Sequence, residues 1–262
     1  MTARGDFVSN RPHRAGRSGV SAFAHLAAQA ASGDPGDRLA ALRLCVPGRI
    51  VFTTSFGLED QAIAHLIFTR KLDVEVATLD TGRLFAATHR VWEATERRYG
   101  VRIPSWHPEP LALAAFVADA GIDGFYGSKQ ARLGCCNVRK VEPLNRALAG
   151  ASAWVTGLRS DQSDGRGGVE LAAWESDRSL VKFAPLFDWS RERVADFCAA
   201  QGVPVNELHA LGFPSIGCEP CTRAVAPGEP ERAGRWWWEN DEARECGLHV
   251  GGDGKLGRRK AA

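Results

Sequence analysis

The chain has 262 residues, an apolar fraction of 44%, and 33 Lys plus Arg against 31 Asp plus Glu, which leaves a net charge of +2. That length supports one large α/β domain or two small ones. The balanced charge argues against a non-specific nucleic-acid binder, which needs a dominant basic face. No apolar run approaches the roughly 18 residues needed to span a membrane. The first 19 residues carry Arg4, Arg11, Arg14 and Arg17 without an apolar stretch, and read as a mobile basic arm rather than a secretory signal. Seven cysteines, mostly clustered, point to metal or redox chemistry in a reducing compartment rather than a disulfide scaffold. The cytoplasm is the expected location.

Two short helical patterns come first, Val20–Ser32 and Asp34–Cys45, with Gly33-Asp34-Pro35 as the break. Gly48–Thr54 then reads as a strand that empties into Ser55-Phe56-Gly57-Leu58-Glu59-Asp60 before a helix over Gln61–Lys71. A second strand, Val74–Leu79, ends in Asp80-Thr81-Gly82-Arg83 and is followed by a helix over Leu84–Tyr99. Val101–Trp106 is a third strand and Leu111–Ala120 another helix. Further on, Trp154–Arg159 is a strand entering a polar, glycine-bearing loop. Ser179–Leu186 is the last strand, which Pro185 confines to an edge or an end. Ser190 caps a helix over Arg191–Gln201. Alternating strands and helices predict an α/β domain with a mostly parallel sheet and right-handed crossovers. Ligands bind such sheets at the carboxyl ends of the strands, where the loops at 53–60 and 80–83 fall.

Those loops carry the first chemical signal. Thr53, Thr54 and Ser55 offer hydroxyls, and the helix start behind Gly57 offers backbone N–H groups to an anion, although an ordinary helix cap reads the same way. Glu59 and Asp60 favour the helix dipole, and Asp80 or Thr81 is either an N-cap or a nucleotide contact. Neither phosphate-binding glycine signature, G-x-x-x-x-G-K-[ST] nor G-x-G-x-x-G, is present. Arg159 and Arg166 are further candidate anion contacts.

The cysteines divide four to one. Cys135-Cys136 and Cys218-Glu219-Pro220-Cys221 have the sulfur count and softness for one iron–sulfur cluster or one zinc, while Cys246 stands apart as the reactive thiol. Adjacent cysteines reach one cluster only from a non-extended backbone, since on a strand they point oppositely. Lys140 follows Cys136 by four and lies on the cysteine face if the segment is helical. Cys45 and Cys198 read as small buried hydrophobes. Trp236-Trp237-Trp238 reads as partly buried packing, and His65, His89 and His107 as structural or solvated.

The set Thr54–Asp60, Leu79–Arg83, Gly134–Lys140, Thr156–Ser163, Cys218–Cys221 and Glu245-Cys246-Gly247-Leu248-His249 resembles the assimilatory sulfonucleotide reductases. More narrowly, it resembles their iron–sulfur branch, the adenosine 5′-phosphosulfate reductases, over about residues 48–250. The resemblance implies an adenine nucleotide α-hydrolase-like (PP-loop type) fold. Its expected units are a basic arm at 1–19, a reductase domain at 20–235 and a mobile segment at 236–262 carrying the catalytic cysteine. It also implies thioredoxin-dependent reduction of adenosine 5′-phosphosulfate to sulfite and AMP, in sulfate assimilation and cysteine biosynthesis. By the same resemblance Cys135, Cys136, Cys218 and Cys221 bind a [4Fe-4S] cluster, and Cys246 attacks the substrate and carries the S-sulfo intermediate.

Lys140, Arg232 and Arg235 would contact the phosphosulfate. Thr54, Ser55, Gly57, Glu59, Asp60, Asp80, Thr81, Gly82 and Arg83, with Arg159 and Arg166, complete the expected substrate set. Many members of the family have Ser-Gly where this chain has Ser55-Phe56. A homo-oligomer is compatible with the reading; a membrane or nucleic-acid partner is not expected. The rivals are a reductase for the 3′-phosphorylated substrate, an ATP-using PP-loop enzyme and a cluster-bearing redox sensor.

Overall fold

The computed structural model describes residues 33–239. The expected helix at 20–32, the basic arm, Cys246, His249 and the basic tail lie outside the described residues. Six strands form one sheet: β1 Ile50–Thr54, β2 Glu75–Leu79, β3 Ser105–Trp106, β4 Ala153–Val155, β5 Ala172–Glu175 and β6 Leu180–Phe183. Their spatial order is β3-β2-β1-β4-β6-β5. All neighbouring pairs are parallel except β5 with β6.

The helices follow from local signals. α1, Pro35–Cys45, starts where Asp34 accepts from the Gly36 and Asp37 amides at 2.7 and 2.9 Å, with Pro35 in the first turn. α2, Leu58–Thr69, follows β1, and α3, Ala86–Tyr99, follows β2 and ends on Gly100 in the left-handed region. α4, Pro110–Ala120, follows β3. α5, Lys129–Cys136, and α6, Glu142–Ala147, flank a π-helical turn at Asn137–Val141. α7, Arg191–Ala200, begins where Ser190 accepts from the Arg193 amide.

β1 reads Ile-Val-Phe-Thr-Thr because both its faces are covered, so no polar alternation is needed. Ile50 and Phe52 join the larger core with Leu39 and Leu42 of α1, Ile63 of α2 and Val194 of α7. Val51 points the other way, toward Leu144, Leu148 and Trp154. Cys198 belongs to the first core, and burial pushes its thiol up to about 12, as expected of an inert filler. Among the described residues no helix is long and apolar enough to cross a membrane.

Several expectations change. The third strand is only Ser105–Trp106: ahead of it the Val101 and Ile103 amides donate to Glu96, and β2 meets only the Pro104 carbonyl, through the Thr78 amide at 2.9 Å. The strand expected at Trp154–Arg159 is Ala153–Val155, and that at Ser179–Leu186 is Leu180–Phe183, which ends before Pro185. β6 lies inside the sheet because β5, a stretch for which the sequence predicts no element, covers its outer edge. An edge strand with one exposed face, Trp174 included, has too little hydrophobic pattern to stand out.

The Arg38 guanidinium, 4% exposed, forks onto Asp188 at 2.6 and 2.7 Å and reaches the Pro185 carbonyl, tying α1 to the turn after β6. This hydrogen-bonded pair holds the Asp188 carboxyl below its ordinary value. A depressed carboxyl contributes stability above the unfolded-state pKa, and that contribution is lost as pH falls through the folded-state value. Asp188→Asn is therefore expected to cost roughly 1–3 kcal/mol at neutral pH by leaving Arg38 incompletely paired. The difference from the parent should shrink toward acid, as read from urea midpoints across pH.

Candidate active site

A topological switch occurs beside β1: the chain continues outward through β2 and β3 on one side and returns through β4 and β6 on the other. There the loops after β1 and β4 part, and the carboxyl ends of β1, β2 and β4 surround a cavity of about 190 Å³. Of the expected substrate residues, Thr54, Ser55, Gly57, Glu59, Asp60, Thr81, Lys140, Arg166, Arg232 and Arg235 line it. Asp80, Gly82, Arg83 and Arg159 are not among its lining residues.

The loop after β1 differs from a simple anion cradle. Asp60 Oδ2 accepts from both the Ser55 amide, at 2.6 Å, and the Ser55 hydroxyl, at 2.7 Å, so these donors already serve a carboxylate. The Phe56 amide donates to Thr54 Oγ1. Phe56 itself has φ 57°, the left-handed region in which glycine is comfortable, and its ring is fully buried and stacked on Trp92 at 5.5 Å. Ring burial offsets a backbone strain that a glycine would not have. Gly157, on the loop after β4, has the opposite need: a Cβ there would lie 2.3 Å from Asp60 Oδ1.

Arg159 is wholly buried and binds Glu59 at 2.8 Å, Glu231 at 2.9 Å and Asp161. Its guanidinium is a structural clamp behind the cavity, not an arm into it. Burial opposes charge on Glu59, but the Arg159 pair outweighs it and lowers the pKa. Burial raises the pKa of Glu231, with the Glu59 charge adding to it. Burial also pushes Asp60 up to about 6, despite the two Ser55 donors.

The Asp80–Arg83 turn acts on the cysteines. Asp80 Oδ1 accepts from the Gly82 amide, and Gly82 takes φ +67°. Thr81 Oγ1 lies 3.3 Å from Cys218 Sγ, and the Arg83 carbonyl accepts from the Glu219 amide at 2.8 Å. Arg83 pairs with Asp123 at 3.0 Å and borders the thiol pocket.

That pocket gathers Cys135, Cys136, Cys218 and Cys221, with Arg132, Arg139, Lys140 and Arg235 around them. The adjacent cysteines close α5, the non-extended backbone their pairing required. The π turn directly after them carries Lys140 into both the thiol pocket and the cavity. Burial raises the Cys135 thiol and pushes Cys221 up to about 11, with Cys218 adding to the latter and Lys140 and Arg235 opposing it. Among the described residues no three His, Cys, Asp or Glu side chains converge on a single ion position.

Arg232 and Arg235 sit on a tight turn rather than the helix their i,i+3 spacing allowed, with the Arg235 amide donating to the Arg232 carbonyl. The turn is laced to the second cysteine pair: the Arg223 amide donates to Gly234 and the Trp236 amide to Cys221.

Residues 49–224 match the phosphoadenosine phosphosulfate reductase domain. The chain belongs to this reductase family. It is 57% identical over 203 residues to the adenosine 5′-phosphosulfate reductase of Rhizobium meliloti (strain 1021), covering 78% of this chain and 77% of that protein. To the enzyme of that name from Allochromatium vinosum it is 52% identical over 200 residues, covering 76% of this chain and 78% of that one. The fold matches the phosphate complex of phosphoadenylyl-sulfate reductase from Candida auris, with TM-score 0.65, 24% identity and coverage of 78% and 96% of the two chains.

In this reductase-family chain several wall residues escaped the sequence reading. Trp154 lines the cavity and donates its indole N–H to Thr53 Oγ1 at 2.8 Å, but in sequence it is one more apolar strand residue. Glu231 was hidden beside the more legible Arg232. His209 lines the wall with Nδ1 bonded to the Phe213 carbonyl at 2.9 Å, so that nitrogen carries the proton, and burial lowers its pKa. Trp236 is 1% exposed with guanidinium groups of Arg132, Arg235 and Arg232 at 4.5, 4.7 and 5.8 Å from its ring. Trp237 stays half-exposed and Trp238 packs on Tyr126, in keeping with the packing expected of the run.

Because the folded state holds the Asp60 proton to about pH 6, this group makes stability fall as pH rises from its ordinary range toward 6. Asp60→Asn is expected to flatten that part of the stability profile, as read from urea midpoints between about pH 4 and 7. An unchanged slope would place the titration elsewhere.

Proposed function

We propose that this chain reduces adenosine 5′-phosphosulfate to sulfite and AMP, with thioredoxin or a similar dithiol as electron donor, in the sulfate assimilation that feeds cysteine biosynthesis. The observation that carries the reading is a shared wall: Lys140, Arg235 and Trp236 border both the cavity at the switch point and the pocket of four thiols. The names of the R. meliloti and A. vinosum relatives support the unphosphorylated substrate.

The four cysteines fit a [4Fe-4S] cluster. They are soft donors around one pocket, no carboxylate among the described residues lines it, and the five cations Arg83, Arg132, Arg139, Lys140 and Arg235 border it, a setting that favours a net negative group. Four thiolates around one pocket supply the four ligands that such a cluster takes. When bound, the cluster supplies a covalent tie between α5 and the Cys218–Cys221 turn and a fixed negative charge beside Lys140.

The remaining chemistry belongs to the chain. The substrate carries negative oxygens on phosphorus and sulfur, and an attacking thiolate brings another charge. Each like-charge contact at about 4 Å opposes that approach by about 4 kcal/mol at an effective dielectric near 20. Lys140, Arg166, Arg232 and Arg235 line the cavity and offset this repulsion. Thr54, Ser55, Gly57, Glu59, Asp60 and Thr81 form the nucleotide end, while Asp80, Gly82, Arg83 and Arg159 brace the walls.

Cys246 follows the last described residue, Glu239, by seven positions, a reach of at most about 25 Å. Its thiolate attacks the sulfur, the bond from sulfur to the bridging oxygen breaks, and AMP departs as an anion. Cys246 is left as the S-sulfo adduct. A dithiol then attacks the Cys246 sulfur and sulfite leaves, as in thiol–disulfide exchange.

Incubating the anaerobically purified protein with adenosine 5′-phosphosulfate and no dithiol should add one sulfonate to Cys246, seen by peptide mass spectrometry and lost on adding thioredoxin. Cys246→Ser should make no sulfite; undiminished sulfite from that variant would sink the proposal. Separately, Cys218→Ser should lower bound iron from about four atoms per chain toward none in a colorimetric iron assay. Equal iron in variant and parent would rule out this ligand set.

A further inference from the structure

α4 is an anomaly among the described residues. Its sequence, Pro-Leu-Ala-Leu-Ala-Ala-Phe-Val-Ala-Asp-Ala, is apolar almost throughout, yet only Leu113, Phe116, Val117 and Ala120 are even half-buried, on one face, and the outer face is apolar as well. A surface helix ordinarily buries its apolar stripe and shows a charged one. Here Leu111, Ala115 and Ala118, spaced i, i+4 and i+7, share one face and are all exposed, Leu111 by 87%.

The apolar surface continues beyond the helix. Ile122 is 61% exposed and Tyr126 41%. The Tyr126 hydroxyl donates to the Pro220 carbonyl, inside the Cys218–Cys221 turn, and its ring meets Trp238 at 4.5 Å. Trp238 in turn meets Trp237, 39% exposed, at 4.9 Å. This strip ends where the described chain ends, at Glu239, and Cys246 lies seven residues beyond. A run of exposed apolar groups of this kind marks an interaction site.

We infer that the strip from Leu111 through Ile122 and Tyr126 to Trp237 is the docking surface for the protein dithiol that discharges Cys246. The inference rests on the reductase reading above. The second half-reaction must bring a dithiol protein to Cys246, and the described chain ends at Glu239, one residue past Trp238 at one end of the strip. The partner's first thiolate attacks the Cys246 sulfur, the S–S bond to the sulfonate breaks, and sulfite departs with the electron pair. The partner's second thiol then closes its own disulfide and releases Cys246, the two thiol protons passing to Cys246 and sulfite. Apolar contact around the reacting sulfurs orients this exchange without adding charge near an anionic leaving group.

The test is the double variant Leu111→Glu/Ile122→Glu, whose two sites are exposed and away from the cavity. Adduct formation on Cys246 is measured first, then turnover with thioredoxin and with dithiothreitol, and sedimentation of parent and variant. The expected result is an unchanged adduct, unchanged turnover with dithiothreitol, and a KM for thioredoxin raised by about tenfold or more. An unchanged KM for thioredoxin overturns the proposal. If a parent dimer then dissociates in the variant, the occupant is a second copy; if the variant instead loses thermal stability, it is a segment of the same chain. A parent that forms no adduct refutes the reductase reading itself, which this first measurement separates from failure of the docking surface.

Discussion

A guanidinium with no exposed surface holds the cavity in shape. Arg159 leaves the end of the β4 loop and is met by Glu59 from the first turn of α2, Asp161 from its own loop and Glu231 from the turn that carries Arg232 and Arg235. Removing a charge from water costs several kcal/mol unless partners fully compensate it, so these elements are constrained to stay where the carboxylates reach. The constraint joins the sheet to a turn some seventy residues later in the chain. The placement of the arginine pair therefore depends on a residue that does not line the cavity.

The second constraint is the exchange of backbone hydrogen bonds between that turn and the cysteines. Trp236 donates to Cys221, Arg223 to Gly234, and Glu219 to Arg83 of the loop after β2. The cations over the cavity and the thiols behind them are thus one assembly, with Lys140 entering from the π turn. A π turn adds a residue to the helical circuit, which rotates the side chains that follow it; such turns occur mostly at functional sites. Here Cys135 and Cys136 end the α-helix just before it, and Lys140 within it borders both pockets.

Carboxylates in a cavity proposed for an anionic substrate look contradictory until their partners are counted. Glu59 and Glu231 share Arg159, with Arg191 also 3.7 Å from Glu231, and Asp60 takes both donors of Ser55. The acids that line the cavity are thus held by partners of their own, beside the lysine and arginines that also line it. The buried Arg132–Glu239 pair, at 2.8 Å, does the same on the far side of the thiol pocket and fixes the point from which the chain continues to Cys246.

What the sequence settled by itself was local or compositional. β1 could be read because an apolar run bounded by glycine and small hydroxyl residues leaves little choice, and the helix cap at Ser190 because it acts on the next three residues. The grouping of Cys135-Cys136 with Cys218-x-x-Cys221 was legible from sulfur chemistry and motif order. Only the tertiary structure decided the partners of Arg159, Arg83 and Asp60, residues the sequence offered as substrate contacts, because those partners lie far off in the chain or across a turn. It alone revealed β5, Trp154 and Glu231 as parts of the sheet edge and cavity wall. An arginine's sequence neighbours state that it is charged; whether that charge faces a cavity or a buried carboxylate is set by long-range packing, which no local pattern encodes.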